Sequence, residues 1–106
     1  MANAANEMVA TGRRKSATAR VRIQPGTGKM VVNGVAIADY LARETLVMVA
    51  TQPFDVTGNA GKYDVRARCA GGGLAGQAGA LRLGIARALV RVDENLRIPL
   101  RRAGLL

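Results

Sequence analysis

The chain has 106 residues, enough for one domain with one modest core and too few for a second. With 49% hydrophobic and 22% charged residues it is not a disordered chain. No histidine and a single cysteine exclude an internal disulfide, a multi-cysteine metal site and histidine-based catalysis.

The charge balance is 16 Lys+Arg against 7 Asp+Glu, or +9 at pH 7. Only Lys15, Lys29 and Lys62 are lysines; the rest are arginines. The arginine fork pairs with phosphate oxygens, so nucleic acid is the first expected partner. An anionic membrane surface is second, and plain solubility third. Tyr40, Phe54 and Tyr63 are the only aromatics, too few for a base-stacking platform, so contacts to a folded RNA or DNA backbone fit better. No leader pattern opens the chain, and apolar runs such as Leu46 to Ala50 are far short of a membrane span, which reads as intracellular.

Residues 1–8 are expected to be a flexible N-terminal segment, small and polar from Met1 to Asn6, and 9–106 a single globular domain. A short strand is expected from Met8 to Thr11, then a basic turn, Gly12 to Ser16. Residues 17–24 alternate: Ala17, Ala19, Val21 and Ile23 on one face, Thr18, Arg20, Arg22 and Gln24 on the other, the period of a half-buried strand. Pro25 to Gly28 is a turn, and Lys29 to Asn33 a third strand closed by Gly34. Helical spacing follows in Val35 to Ala42 and again from about Arg43 to Thr51, where Leu46, Val49 and Ala50 share a side and Pro53 is the expected boundary.

Lys62 to Cys69 alternates again, with Tyr63, Val65, Ala67 and Cys69 opposite Lys62, Asp64, Arg66 and Arg68. The basic face is either plain solvation or a contact surface. Cys69 continues the apolar face and is expected as a buried thiol; Met8, Met30 and Met48 are expected as core fillers. The longest helix is predicted from about Gly76 to Val92, with Ala78, Leu81, Ile85, Ala88, Leu89 and Val92 as one stripe. Asp93 to Asn95 marks a break and a cap, and Leu96 to Leu106 a last helix with Pro99 in its first turn. The order gives an α+β two-layer domain, a sheet of about four strands with helices on one face.

Gly71, Gly73 and Gly76 fit G-x-G-x-x-G between a strand and a helix. A dinucleotide fold then needs an acidic residue ending a second parallel strand about 20 residues on; Asp93 instead ends a helix. A P-loop needs Lys and Ser/Thr where Gln77 and Ala78 stand. What remains is a glycine-bared helix start able to meet any phosphate, or glycines that allow tight packing. No cofactor or metal is called for.

Several separated stretches resemble one family. Thr11-Gly12-Arg13-Arg14-Lys15-Ser16-Ala17-Thr18-Ala19-Arg20-Val21 is similar to the signature near the start of small-subunit ribosomal protein S-nine. Gly71 to Ala80, running into Arg82, Gly84, Ile85, Arg87, Ala88 and Leu89, resembles its other hallmark. Pro25 to Lys29, Asn33, Tyr40, Arg43-Glu44-Thr45, Gln52-Pro53 and Leu100 to Leu105 agree in order, so the resemblance covers about residues 9–106. It implies a non-enzymatic structural protein of the small-subunit head that binds ribosomal RNA beside neighbouring head proteins, on a cytoplasmic or organellar ribosome. It also implies a left-handed βαβ crossover, a rare hand.

Carried over, Arg13, Arg14, Lys15 and Ser16 would lie in a turn against RNA, with Arg20 extending that surface. Gly71, Gly72, Gly73, Gly76 and Gln77 would approach the backbone at the helix start, with Arg82 and Arg87 in support. The resemblance also implies a basic tail beyond the Ala103-Gly104-Leu105 segment, reaching the peptidyl-site transfer RNA. This sequence ends at Leu106, so that contact is not assigned to it, and a truncated or engineered stand-alone core is the alternative reading.

Overall fold

The computed structural model describes residues 7–106, so the expectation for Met1 to Asn6 lies outside the described residues. Strand β1 (Met8–Arg14) and strand β2 (Ala17–Pro25) pair antiparallel through the two-residue turn Lys15-Ser16. β1 thus begins at the last residue of the segment read as loose and runs three residues past Thr11. β2 pairs on its other side with β5 (Tyr63–Ala70), also antiparallel, and β5 pairs parallel with β3 (Met30–Val32). The two-residue strand β4 (Val35–Ala36) completes the order β1-β2-β5-β3-β4.

That fifth strand replaces the start of a predicted helix. Asn33 and Gly34 take φ values of 50° and 81°, the double left-handed pair of a tight hairpin loop. Asn-Gly between Val32 and Val35 is the sequence signal for such a hairpin. The two residues of β4 leave little edge open to further pairing.

Helix α1 (Ile37–Leu41) and helix α2 (Glu44–Val56) form the crossover from β3 to β5. Pro53 does not end α2; it sits inside the last turn. Its missing N–H costs one helical bond, but its ring is fully buried, and burial offsets that loss. Met48 is not a core filler: it is 63% exposed, because it lies about 200° around the helix from buried Ala50. Met8 and Met30 do pack against the core.

Helix α3 (Leu74–Val92) lies across β1 and β2 and against α2. Leu81, Ile85 and Leu89 are fully buried, each worth roughly 1.5–3 kcal/mol. Ala78 and Ala88 complete the predicted stripe, while Val92 at its end is 38% exposed. The helix is buried on a second side as well, through Gly79, Ala80, Gly84 and Ala86. A Cβ on Gly12 would fall 2.0 Å from the Ala80 carbonyl oxygen, and one on Gly84 would fall 2.7 Å from Val21 Cγ2. Backbone meets backbone where helix crosses strand, which only glycine permits.

A single 3-10 turn (Glu94–Leu96) follows, with the Asp93 carboxylate accepting from the Asn95 amide at 3.0 Å, the predicted cap. Helix α4 (Arg97–Arg102) then brings Leu100 into the core, and the segment after it buries Leu105. The domain is the expected two-layer α+β fold, with a five-stranded mixed sheet.

Candidate nucleic-acid interface

The two segments singled out from the sequence meet in space. Pairing β2 with β5 sets Thr18 opposite Ala70, so the β1–β2 turn comes against the loop after β5. Gly71 takes φ 76° and Gly72 φ 59°, the left-handed conformation that favours glycine. A Cβ on Gly71 would lie 2.2 Å from the Ser16 carbonyl oxygen; one on Gly72 would press on Ser16 Oγ and Ala17 Cβ at 3.3 and 3.2 Å. A Cβ on Gly73 would meet nothing within 4 Å. The first two glycines thus fit the loop to the basic turn, and the third keeps the helix start bare.

Gly73 is the N-cap of α3, no side chain caps it, and the first turn holds no acidic residue. The first amides of a helix have no partner inside it and carry partial positive charge. Residues Gly71 to Ala75 are all exposed, as are Arg13, Arg14, Lys15 and Ser16 beside them. Lys15 itself holds φ 55°, an uncommon conformation for a long side chain, which fixes the tip of the turn.

Gln77 braces the loop from behind. It is buried, its Oε1 accepts from the Tyr40 hydroxyl at 2.5 Å, and its Nε2 donates to the Gly71 carbonyl at 3.0 Å. The chain of bonds continues through Asn33 to β5. Asn33 Nδ2 donates to Tyr40 Oη and to the Cys69 carbonyl, and Asn33 Oδ1 accepts from the Cys69 amide. Gln77 therefore positions the glycine loop instead of reaching out of it. Gly76 likewise faces Ala17, whose Cβ an added methyl would touch at an ordinary 3.5 Å.

The arginines spread over three neighbouring surfaces. Arg13, Arg14 and Arg82 line one small concavity with Gly79, and Arg82 Nη1 donates to Gln52 Oε1 at 3.4 Å. Arg87 reaches edge strand β1, donating to the Thr11 carbonyl at 2.8 Å; with Arg20, Arg91 and Arg97 it borders a wider concavity. Arg20 sits on the open face of the sheet, directly opposite Arg68, with Arg22 opposite Arg66. The sequence shows those arginines on the polar side of two separate strands. It does not show that the strands are neighbours: Arg66 and Arg68 stand out in it only as lying close to the glycine loop, and Arg22 only as part of the polar face of β2.

A second glycine loop lies at the other end of β2. One oxygen of Asp64, Oδ1, accepts from the amides of Thr27, Gly28 and Lys29 at 2.9, 3.1 and 2.9 Å. The Lys29 amide is the largest of the influences that hold this carboxyl below its ordinary 3.8. Cys69 is buried on the helix side of β5, and burial pushes its thiol up to about 11, so it is inert at neutral pH. Among the described residues no strand follows α3, so the glycine stretch has no second parallel half of a dinucleotide fold.

A family model described as ribosomal protein S9/S16 matches residues 12–106. The chain belongs to this family. It is a structural protein of the small ribosomal subunit, from a family of ribosomal-RNA-binding proteins that work in translation as parts of a ribonucleoprotein. The matched segment of this ribosomal S9/S16 protein starts at Gly12, the residue pressed against α3, and takes in both glycine loops and the Arg13–Ser16 turn. Among the described residues no helix is long and apolar enough to cross a membrane.

Proposed function

We propose that this ribosomal protein holds small-subunit ribosomal RNA in the head of the subunit, beside neighbouring head proteins, through two adjoining elements. The basic turn Arg13–Ser16 supplies fixed positive charge, and the start of α3 at Gly73 supplies bare amides. The observation that carries this reading is the fit of Gly71 against the Ser16 carbonyl, which makes turn and helix start one surface. Phosphates placed there meet guanidinium forks and helix amides together, a combination suited to packed RNA backbone and indifferent to base identity. Arg82 borders the turn and Arg87 stands farther along α3; both also bond within the protein, so they hold shape and charge at once.

Binding of this kind releases counterions, so affinity must fall steeply as salt rises. Titrating the protein with an RNA fragment of the small-subunit head at several salt concentrations measures this directly. We expect a linear fall of log affinity with log salt, and a weaker, shallower response for Arg13→Ala/Arg14→Ala. A wild-type affinity that does not depend on salt would overturn the reading.

A further inference from the structure

The open face of the sheet carries an arrangement that the turn and the helix start do not explain. The β2–β5 register places Arg20 opposite Arg68 and Arg22 opposite Arg66, and all four are exposed. Like charges directly opposite each other weaken a sheet. Two steps along a strand is about 7 Å, so the four arginines leave the backbone at the corners of a compact square. They border a concavity of about 420 Å³ whose floor includes Val31 and Ala67.

Half of this square already holds an oxyanion. The Glu7 carboxylate lies between Arg22 and Arg66, Oε1 to Arg22 Nη1 at 3.2 Å and Oε2 to Arg66 Nη2 at 2.9 Å. Its side chain is only 13% exposed, and the Arg66 hydrogen bond is the foremost cause holding its carboxyl below the ordinary carboxylate range. The other half differs: among the described residues Arg20 and Arg68 have no acidic partner.

We propose that the Arg20, Arg22, Arg66 and Arg68 square is a second RNA-backbone surface, in which Glu7 stands in for one phosphate until RNA displaces it. The proposal rests on the RNA-binding reading above and adds a separate surface to it. A carboxylate bridging two guanidinium groups presents two oxygens much as a phosphate does, so Glu7 holds Arg22 and Arg66 to one shared anion. Arg20 and Arg68 are open to the first phosphate. A second phosphate along the same backbone would then exchange with Glu7. The partner is RNA because the chain belongs to a ribosomal family and the arginine fork takes phosphate as well as it takes the Glu7 carboxylate; an acidic protein segment is the outcome that polyglutamate tests below.

The test uses the full chain and the same head-region RNA fragment, with circular dichroism confirming each variant's fold. Arg20→Ala/Arg68→Ala is expected to bind at least tenfold more weakly, with the slope of log affinity against log salt reduced by roughly 0.7–0.9, the share of one phosphate. Glu7→Gln is expected to bind several-fold more tightly with a steeper slope, because its competing charge is gone. If the double variant and Glu7→Gln both bind like wild type while Arg13→Ala/Arg14→Ala binds weakly, the square is not an RNA surface and the turn-and-helix reading stands. If wild type itself does not bind the fragment, both readings fall together. Polyglutamate that competes with RNA as well as an RNA of equal charge would also overturn the proposal, since the square would then be a general anion patch.

Discussion

Two glycine-rich loops sit at opposite ends of the β2–β5 pair, and they differ in what fills them. Between Pro25 and Lys29 the backbone folds around the chain's own carboxylate. Asp64 is paired in register with Gln24, and its Oδ1 takes three consecutive amides. A Cβ on Gly26 would collide with that carboxylate at 2.2 Å. At Gly71 to Gly73 two glycines fit the protein and the third faces open space, with no acidic residue in the first turn of the helix. A nest of amides will take an anion wherever one is offered. Composition does not decide whose anion it is; the neighbour across the strand pairing does. The first loop is therefore a staple, and the second is available to a partner.

The strongest way to break this contrast is to stop the open loop from closing on the turn. Gly71→Val imposes φ 76° on a β-branched residue, at about 1–2 kcal/mol, and drives a methyl-bearing carbon against the Ser16 carbonyl, at about 1–3 kcal/mol more. Thermal unfolding followed by circular dichroism should show a melting temperature lower by roughly 8 °C or more. An unchanged melting point would mean that the loop and the turn are not packed as described. Gln77→Leu cuts the loop from its support, taking the acceptor from the Tyr40 O–H and the side-chain donor from the Gly71 carbonyl, a loss of about 1–3 kcal/mol. Its signature is local as well as global: amide exchange at Gly72 and Gly73 should speed up more than in β2. Equal acceleration everywhere would contradict a positioning role for Gln77.

Much of this was legible in the sequence because it rests on short-range pattern. Alternation in 17–24 and in 62–69 gives both central strands within a residue of each end, and the long stripe through Leu81, Ile85 and Leu89 gives α3. The approach of the basic turn to the glycine loop was foreseen only as two motifs of one family, since nothing local says that Ser16 and Gly71 touch. Pro53 misled because a proline's cost to a helix is local, while the burial that offsets it is tertiary. The hydrogen bonds of Gln77 are hidden for a similar reason: its partner Tyr40 stands 37 positions earlier. The arginine square is hidden from the sequence, which shows two basic strand faces but not that these non-consecutive strands pair.

The next variant turns the open loop into a filled one. Gly73→Asp adds a carboxylate at the N-cap of α3, where a Cβ has free space. An aspartate there can accept from the first free amides, which stabilises a helix by about 0.5–1 kcal/mol. The same carboxylate takes the place of a phosphate and repels others. Stability and RNA affinity should thus move in opposite directions: a melting point higher by a few degrees, and binding weaker by roughly tenfold, the worth of one charge-assisted hydrogen bond. Both quantities falling together would indicate simple damage to the loop and would remove the argument for an amide–phosphate contact at this position.

The converse change empties the filled loop. Asp64→Asn keeps the shape of the side chain but takes away the charge that three amides share. The carboxyl is held below its ordinary 3.8 in the folded state, so the folded protein binds the proton less readily than the unfolded chain. Its contribution to stability is accordingly complete above about pH 4 and is lost as pH falls through the lowered folded value. Melting curves of wild type and Asp64→Asn should differ at pH 7, with wild type higher, and converge on acidification below that point. Because Glu7 and Glu94 are lowered as well, wild type alone cannot isolate the effect; the difference between the two proteins can. Should the gap persist undiminished at pH 2, the charge of Asp64 is not what holds the loop, and the distinction between a self-filled and an open nest would need a different cause. The part of RNA affinity that rests on the turn and the helix start is expected to change little in this variant, because the loop's amides lie at the far end of β2 from Ser16 and Gly71.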